Sequence, residues 1–471
     1  MPRRITFALI LALAACGTSE KKTCSVTAQT GCDSGKVCEN VSGGSPACFE
    51  PVLLTGSVFD LASAEAVSGA RLVALDVNRS PVSAVAISAA DGRYSLALPR
   101  DRDASGAPVD GAVTLRADAT GYQSFPSGLR QALPIDISAA VHGGGRWTIE
   151  SSLTDVGLIA LPSAAGTGSI QGQVALPSSG GGVLVVAEPA AGGAGTSAIA
   201  DRSGAFAVLN LGAGDYVVKA FSRGVNYQPT SLSLAASETK QADLAIASTS
   251  GATVSGSVQI VNGGRGVGTS VILVVESTFD DALVRGDAPP GLRAPPPGTE
   301  PDVTGAFSID GVPDGRYVAL AAFENDLLVR DPDTSIGGTQ IVHLEVANGA
   351  LVSTPPSFKV TGALDVVSPG ASGPEAVTSA TPTFTWEDDS SEVSYDVTVL
   401  DAFGVEVWRT TIPGVSGPPT VNVVYGQPGG TPDDAPALQA GMYYQFRALS
   451  RKNGGSPISQ TEDLKGVFTV E

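Results

Sequence analysis

The tightest constraint on what this chain can fold into is a segment that occurs twice at a fixed spacing. Asp201-Arg202-Ser203-Gly204-Ala205-Phe206 returns as Asp302-Val303-Thr304-Gly305-Ala306-Phe307. Leu211, Gly214, Tyr216 and Ala220 are then answered by Val312, Gly315, Tyr317 and Ala321, every pair at an offset of 101 residues. A match that stays in register over about twenty positions marks a repeated domain. The pattern Asp-x-x-Gly-x-Phe predicts a hairpin, with Asp and Gly supplying the turn and alternating aromatic and aliphatic residues forming the returning strand.

A third, earlier copy carries Asp91-Gly92-Arg93-Tyr94-Ser95-Leu96. The copies open on Gly56-Ser57-Val58, Gly172-Gln173-Val174 and Gly256-Ser257-Val258. Val113 to Ala117, Tyr216 to Ala220 and Tyr317 to Ala321 read as further short strands. Each inward side chain on such strands contributes roughly 1.5 to 3 kcal/mol on burial. One sheet alone would leave its second face bare, so each copy is expected to be a two-sheet sandwich. With 57 Gly and 32 Pro, the chain reads as turns joining short strands, and the expected class is all-β: tandem β-sandwiches after a short disulfide-stapled segment.

These copies resemble the carboxypeptidase regulatory-like domain, a transthyretin-like sandwich, through Gly-x-Val, the Gly-centred turn with Tyr or Phe, and a strand ending in Ala119-Thr120-Gly121-Tyr122. The resemblance covers about 50 to 362 and is clearest in the first copy. Two departures stand out. The second copy has Gly224-Val225-Asn226-Tyr227 where the first has Gly121-Tyr122, and the third has an extra Pro-rich loop from Asp287 to Pro301. Domains of this family accompany peptidases without containing their catalytic centre, so the fold implies no activity.

From about 363 the pattern changes. Thr381-Pro382-Thr383-Phe384-Thr385-Trp386 and Tyr395-Asp396-Val397-Thr398-Val399-Leu400 alternate as strands, followed by Leu438 to Arg447 and Gly466 to Val470. This region resembles a fibronectin type III domain. The resemblance makes Trp386 its core tryptophan and Tyr444 its corner tyrosine, whose hydroxyl ties a loop to the backbone. The expected organisation is 1–15, 16–50, then sandwiches over 51–163, 164–249, 250–362 and 363–471.

The start of the chain has the layout of a secretory signal: Arg3 and Arg4, then a mostly apolar run from Ile5 to Ala15. That run is shorter than the roughly 20 residues needed to span a bilayer, and no later apolar run is longer. Leu13-Ala14-Ala15-Cys16 resembles the lipobox of bacterial lipoproteins, which implies lipid on the Cys16 thiol, cleavage before it and acylation of the new amine. Ordinary cleavage near Ala15, with Cys16 structural, is the rival. In the same family an Asp after the cysteine signals inner-membrane retention, and Gly17 stands there instead. The expected location is therefore the outer membrane, lipid-anchored on its periplasmic or cell-surface face. One acyl chain holds only marginally and three hold firmly, because each buried methylene supplies about 0.8 kcal/mol.

If Cys16 carries lipid, Cys24, Cys32, Cys38 and Cys48 remain as an even set. Two disulfides in any of three connectivities follow. A segment this polar and turn-rich cannot bury much core and needs covalent stapling. Zinc is the rival, without a Cys-x-x-Cys pair or nearby His to support it. Residues 17 to 23 reach roughly 25 Å when extended, which keeps the stapled module near the membrane.

The net charge is −19, and without residues 1–15 it is −21, from 26 basic and 47 acidic residues. Nucleic acid is not an expected partner of so acidic a chain. His142 and His343 lie in different sandwiches and form no zinc-peptidase motif. No nucleophile elbow, Walker loop or dinucleotide fingerprint is present, so no catalytic residue, metal or cofactor is assigned and the chain is not expected to be an enzyme. Glu387-Asp388-Asp389 and Asp331-Pro332-Asp333 lack the calcium-loop pattern and read as solvated loops. Trp147, Tyr227, Trp408 and Tyr425 are the candidates for a glycan-stacking platform, with core packing as their simpler role.

The expected function is a non-catalytic structural or adaptor lipoprotein, held to the membrane by its N-terminal lipid and presenting its sandwiches to an extracytoplasmic protein or polysaccharide. A carbohydrate-binding surface protein is the first alternative. A hydrolase accessory or glycan hydrolase, which would need paired carboxylates, is the second.

Overall fold

The computed structural model describes residues 24–471 apart from 27–29, 76–80, 110, 128–129, 131, 178–181, 262–268, 282–285, 296–302, 324–340, 390–391, 418, 428–434, 456 and 462–464. The lipobox and Cys16 lie outside the described residues. Among those described, the protein is all-β, with helix limited to two three-residue 3-10 turns at Ile137–Ala139 and Glu276–Thr278. Eight larger sheets pair into four sandwiches, and a two-stranded ladder, Val37–Glu39 with Ala47–Phe49, precedes them.

The repeated segments build the same ladder three times. Val52–Asp60, Gly168–Gln173 and Ala252–Val261 each sit centrally, antiparallel to a hairpin strand (Arg93–Leu98, Ala205–Leu211, Ala306–Val312) on one side. On the other side each runs parallel to a later segment: Arg146–Ile149 and Val156–Leu158, then Thr239–Gln241, then Ser357–Thr361. Register explains the Gly-x-Val motif, because Gly56, Gly172 and Gly256 stand opposite Tyr94, Phe206 and Phe307. A Cβ at these glycines would lie 2.2, 2.2 and 2.1 Å from the carbonyl oxygens of Thr154, Ala242 and Pro356. Only glycine lets the parallel strand approach that closely.

The hairpin turn is equally concrete. In the second copy the Asp201 carboxylate accepts from the N–H groups of Ser203 and Ala205 at 2.8 and 3.0 Å, and Gly204 takes φ +86°. Corner tyrosines also repeat: the Tyr216 and Tyr317 hydroxyls donate to the carbonyls of Gly212 and Pro313, each four residues upstream.

The second sheets of the sandwiches contain Arg71–Leu75 with Ala112–Asp118, Val183–Pro189 with Gly214–Ser222, and Thr269–Val275 with Gly315–Phe323. Several of these strands are apolar on both faces. Leu72 and Ala74 face the first core while Val73 and Leu75 join the third; Val183 and Val185 face the second core while Leu184 and Val186 join the third. Burial on both faces is what continuous apolar runs such as Val183-Leu184-Val185-Val186 serve. The first three sandwiches therefore meet through apolar sheet faces and are not separate beads.

The fourth sandwich pairs Val366–Ser368, Thr383–Glu387 and Thr420–Val424 with a larger sheet built on Ser394–Asp401, Glu406–Pro413, Tyr443–Arg451 and Val467–Val470. Trp386 is fully buried and meets Tyr395 edge-on at 5.3 Å. The Tyr444 hydroxyl accepts from the Gln439 N–H at 2.8 Å.

Candidate functional site

Among the described residues, what stands out is how the parts of the molecule are joined. The first joint holds the N-terminal module. Cys24 is bonded to Cys38 and Cys32 to Cys48, which selects one of the three connectivities. Sulfur atoms of Cys24, Cys32 and Cys48 gather within 4.8 Å of one another, but all are oxidised, so no thiolate is left to ligate zinc. Beside Cys38, the Glu39 carboxylate takes the Nε–H of Arg102 in a pair almost wholly removed from solvent. Arg102 also donates to the Glu50 carbonyl at 2.8 Å and stacks its guanidinium 4.9 Å from the Phe49 ring centre. Burial raises the Glu39 carboxyl above its ordinary range, opposed by Arg102 and the Arg100 N–H. Backbone bonds from Arg102 N–H to the Asn40 carbonyl and from Ser42 N–H to the Arg102 carbonyl close the joint.

The second joint ties three sandwiches at one side chain. Arg116 points away from the first core and is buried by its neighbours. Its Nε–H pairs with Asp118 at 3.0 Å, its Nη2 donates to the Ser197 carbonyl at 2.9 Å, and its Nη1 lies 3.8 Å from Asp287. The Ser197 hydroxyl donates to Asp287 at 2.6 Å, completing a contact among first, second and third sandwiches. Burial would lower the Arg116 pKa, but Asp118 and Asp287 outweigh it and hold the group above its ordinary value.

The motif departures sit at these joints. Asp287 opens the extra loop of the third copy, and Arg293–Ala294 within that loop adds an edge strand to the third sandwich. Val225–Tyr227, in the departing segment of the second copy, places the Asn226 side-chain amide oxygen to accept the Asp314 N–H at 2.7 Å, while Gly224 N–H donates to the Gly311 carbonyl at 2.6 Å. Asn210, at φ +61°, accepts from Gly121 N–H and donates to the carbonyls of Ala119 and Tyr122. Thus the Ala119-Thr120-Gly121-Tyr122 end of the first copy is the surface that the second sandwich grips.

The glycan platform requires correction. Tyr227, Trp408 and Tyr425 are buried, the first in the second core and the other two in the fourth. Trp408 and Tyr425 do meet, at 5.1 Å, but inside the sandwich, where the Tyr425 hydroxyl donates to the Pro436 carbonyl. Burial pushes both tyrosine hydroxyls up to about 12. Alternation places these rings on inward positions, where their apolar area is worth more than at a surface. Trp147 remains half-exposed, packed against the first core and 4.8 Å from the His142 ring.

The acidic loop is likewise structural. Asp388 accepts from the Tyr395 hydroxyl at 2.9 Å, and the buried Asp389 accepts from the Ser450 hydroxyl at 2.9 Å. Those two carboxylates are thus built into the sandwich, not solvated as expected. Asp331 and Asp333 lie outside the described residues. His343 bonds Glu276 at 2.8 Å, in a different sandwich from His142.

Sequence reading missed Glu39, Arg102, Arg116 and Asn210. For Arg116 a signal was available, a charged residue between Leu115 and Ala117 in a strand.

No protein-family model matches the chain, and no curated protein matches it. Among solved structures it is similar to the shaft pilin SpaA of Lactobacillus rhamnosus GG, at 12% identity over 42% of this chain and 97% of the pilin, with a TM-score of 0.17. It is also similar to the Bacillus anthracis TIE protein, at 11% identity over 86% of this chain and 68% of that one, TM-score 0.14. A tetra-tandem repeat from the extending region of a large adhesion protein gives 17% identity over 88% and 100%, TM-score 0.14. Superpositions this loose carry no argument about function. The resemblances to the carboxypeptidase regulatory-like and fibronectin type III families rest on the sequence motifs alone.

Proposed function

We propose that the chain is a non-catalytic structural or adaptor protein, tethered to the outer membrane by lipid on Cys16, that presents a joined block of β-sandwiches to an extracytoplasmic protein or glycan. The observation that carries this reading is the buried Glu39–Arg102 pair. A tether orients its cargo only if the segment nearest the anchor is fixed to the rest. Here a module crossed by two disulfides is fixed to the first sandwich, which is in turn fixed to the second and third through Arg116. The apolar sheet faces shared by those sandwiches favour a compact platform over an extended stalk.

The glycan reading retains Trp147 alone among its four aromatic candidates, since the others are core residues.

The test is fractionation of cells expressing the natural chain and a Cys16→Ala variant. The natural protein is expected to stay with the membrane pellet in high salt and the variant to be released, because on this reading the acyl chains on Cys16 hold it to the lipid. Retention of the variant would overturn the anchor.

A further inference from the structure

We propose that the fourth sandwich is a releasable clasp: it folds back onto the first across a small contact, centred on Phe403 and Arg130, that opens while every sandwich stays folded. The chain leaves the third sandwich through Ala363, buried in the third core, and enters the fourth through the next residue, Leu364, buried in the fourth core. Any swing is thus confined to the step between two adjacent pinned residues, and the distant contact with the first sandwich decides whether the chain is closed.

Among the described residues that contact is thin. The Phe403 ring meets Phe59 edge-on at 5.2 Å, Arg130 Nη1 donates to the Phe403 carbonyl at a long 3.4 Å, and the Ser152 hydroxyl lies between the Gly441 carbonyl and the Tyr443 N–H at 3.4 and 3.2 Å. It is also incompletely paired. Arg130 is 7% exposed, yet its Nε and Nη2 have no hydrogen-bond partner among the described residues. Burial lowers its pKa with only Asp401 opposing, and burial raises Asp401. A buried guanidinium that leaves two donors unused holds its interface weakly, because each unmade bond costs desolvation without return. Arg116, by contrast, places its guanidinium against Asp118, Ser197 and Asp287, and its joint is backed by a shared apolar core. One chain therefore carries a fixed joint and a weak one, and the weak one shields Phe59 and Arg130 of the first sandwich until it opens.

The test pairs a variant with a measurement on the unmodified full chain. Phe403→Asp is expected to raise the radius of gyration in small-angle scattering by about 5 Å or more with an unchanged melting temperature. In the unmodified chain, the Tyr443 N–H, which bonds across the contact, is expected to exchange with solvent roughly tenfold or more faster than the Phe446 N–H, which bonds to the Gly466 carbonyl inside the fourth sandwich. An unchanged radius in a folded variant overturns the clasp. Should Phe403→Asp fail to fold, the amide comparison decides alone, and equal exchange at Tyr443 and Phe446 overturns it.

Discussion

Arg116→Ala is expected to destabilise the protein by about 3 to 5 kcal/mol, the range for breaking a buried ion pair from one side. The loss is large because the partners stay where they are: Asp118, Asp287 and the Ser197 carbonyl remain among packed sheets without the cation that satisfies them. Arg93→Ala is the control. Arg93 also meets a carboxylate, Glu150, at 2.8 Å, but both side chains are more than half exposed, and such pairs are worth about 0 to 1 kcal/mol. Urea unfolding of the two variants separates buried from exposed charge. If Arg116 acts through Asp287, removing both costs much less than the sum of the single changes, and additive losses would count against the three-way joint.

Arg102→Ala carries the second large effect, and a more local one. Residues 24 to 50 have little apolar core of their own and depend on their disulfides and on the docking contact. Losing Arg102 strands the buried Glu39 carboxylate, again at about 3 to 5 kcal/mol. Fast exchange of the Ser42 N–H, which bonds to the Arg102 carbonyl, and proteolysis between 39 and 50 are the expected signs that the module has come away. Arg102→Lys should restore only part of the loss, because an ammonium cannot reach Glu39 and the Glu50 carbonyl together in the guanidinium's fork geometry. Normal protection in Arg102→Ala would show that the disulfides alone hold the module.

How much of this was legible in the sequence depends on whether the physics was local. The hairpins were, because Asp201 and Gly204 make their turn within five residues. The sandwich class was too, since alternation in Val52–Asp60 reports one buried face directly. Gly56, Gly172 and Gly256 were visible as a motif, but their reason, a carbonyl about 2 Å from where a Cβ would be, belongs to strands up to about a hundred residues away. The joints were harder still. Asn210, Asn226 and Asp287 look like ordinary turn residues until a neighbouring sandwich supplies their partners.

The glycan candidates failed for a related cause. Trp408 and Tyr425 take the simpler role, packing into the fourth core. The two motif departures in the repeats are the Gly224-Val225-Asn226-Tyr227 segment and the loop from Asp287 to Pro301. They are where one sandwich takes hold of the next, so a break in a repeat marked a joint and not an error in the repeat.

The central claim is that the stapled module and the sandwiches form one compact body. Small-angle scattering of the chain from residue 16 onward tests it most directly. A compact body of this length has a radius of gyration of roughly 23 Å, and the account predicts a value within a few ångströms of that. A radius near twice as large, as for sandwiches strung end to end, would contradict it.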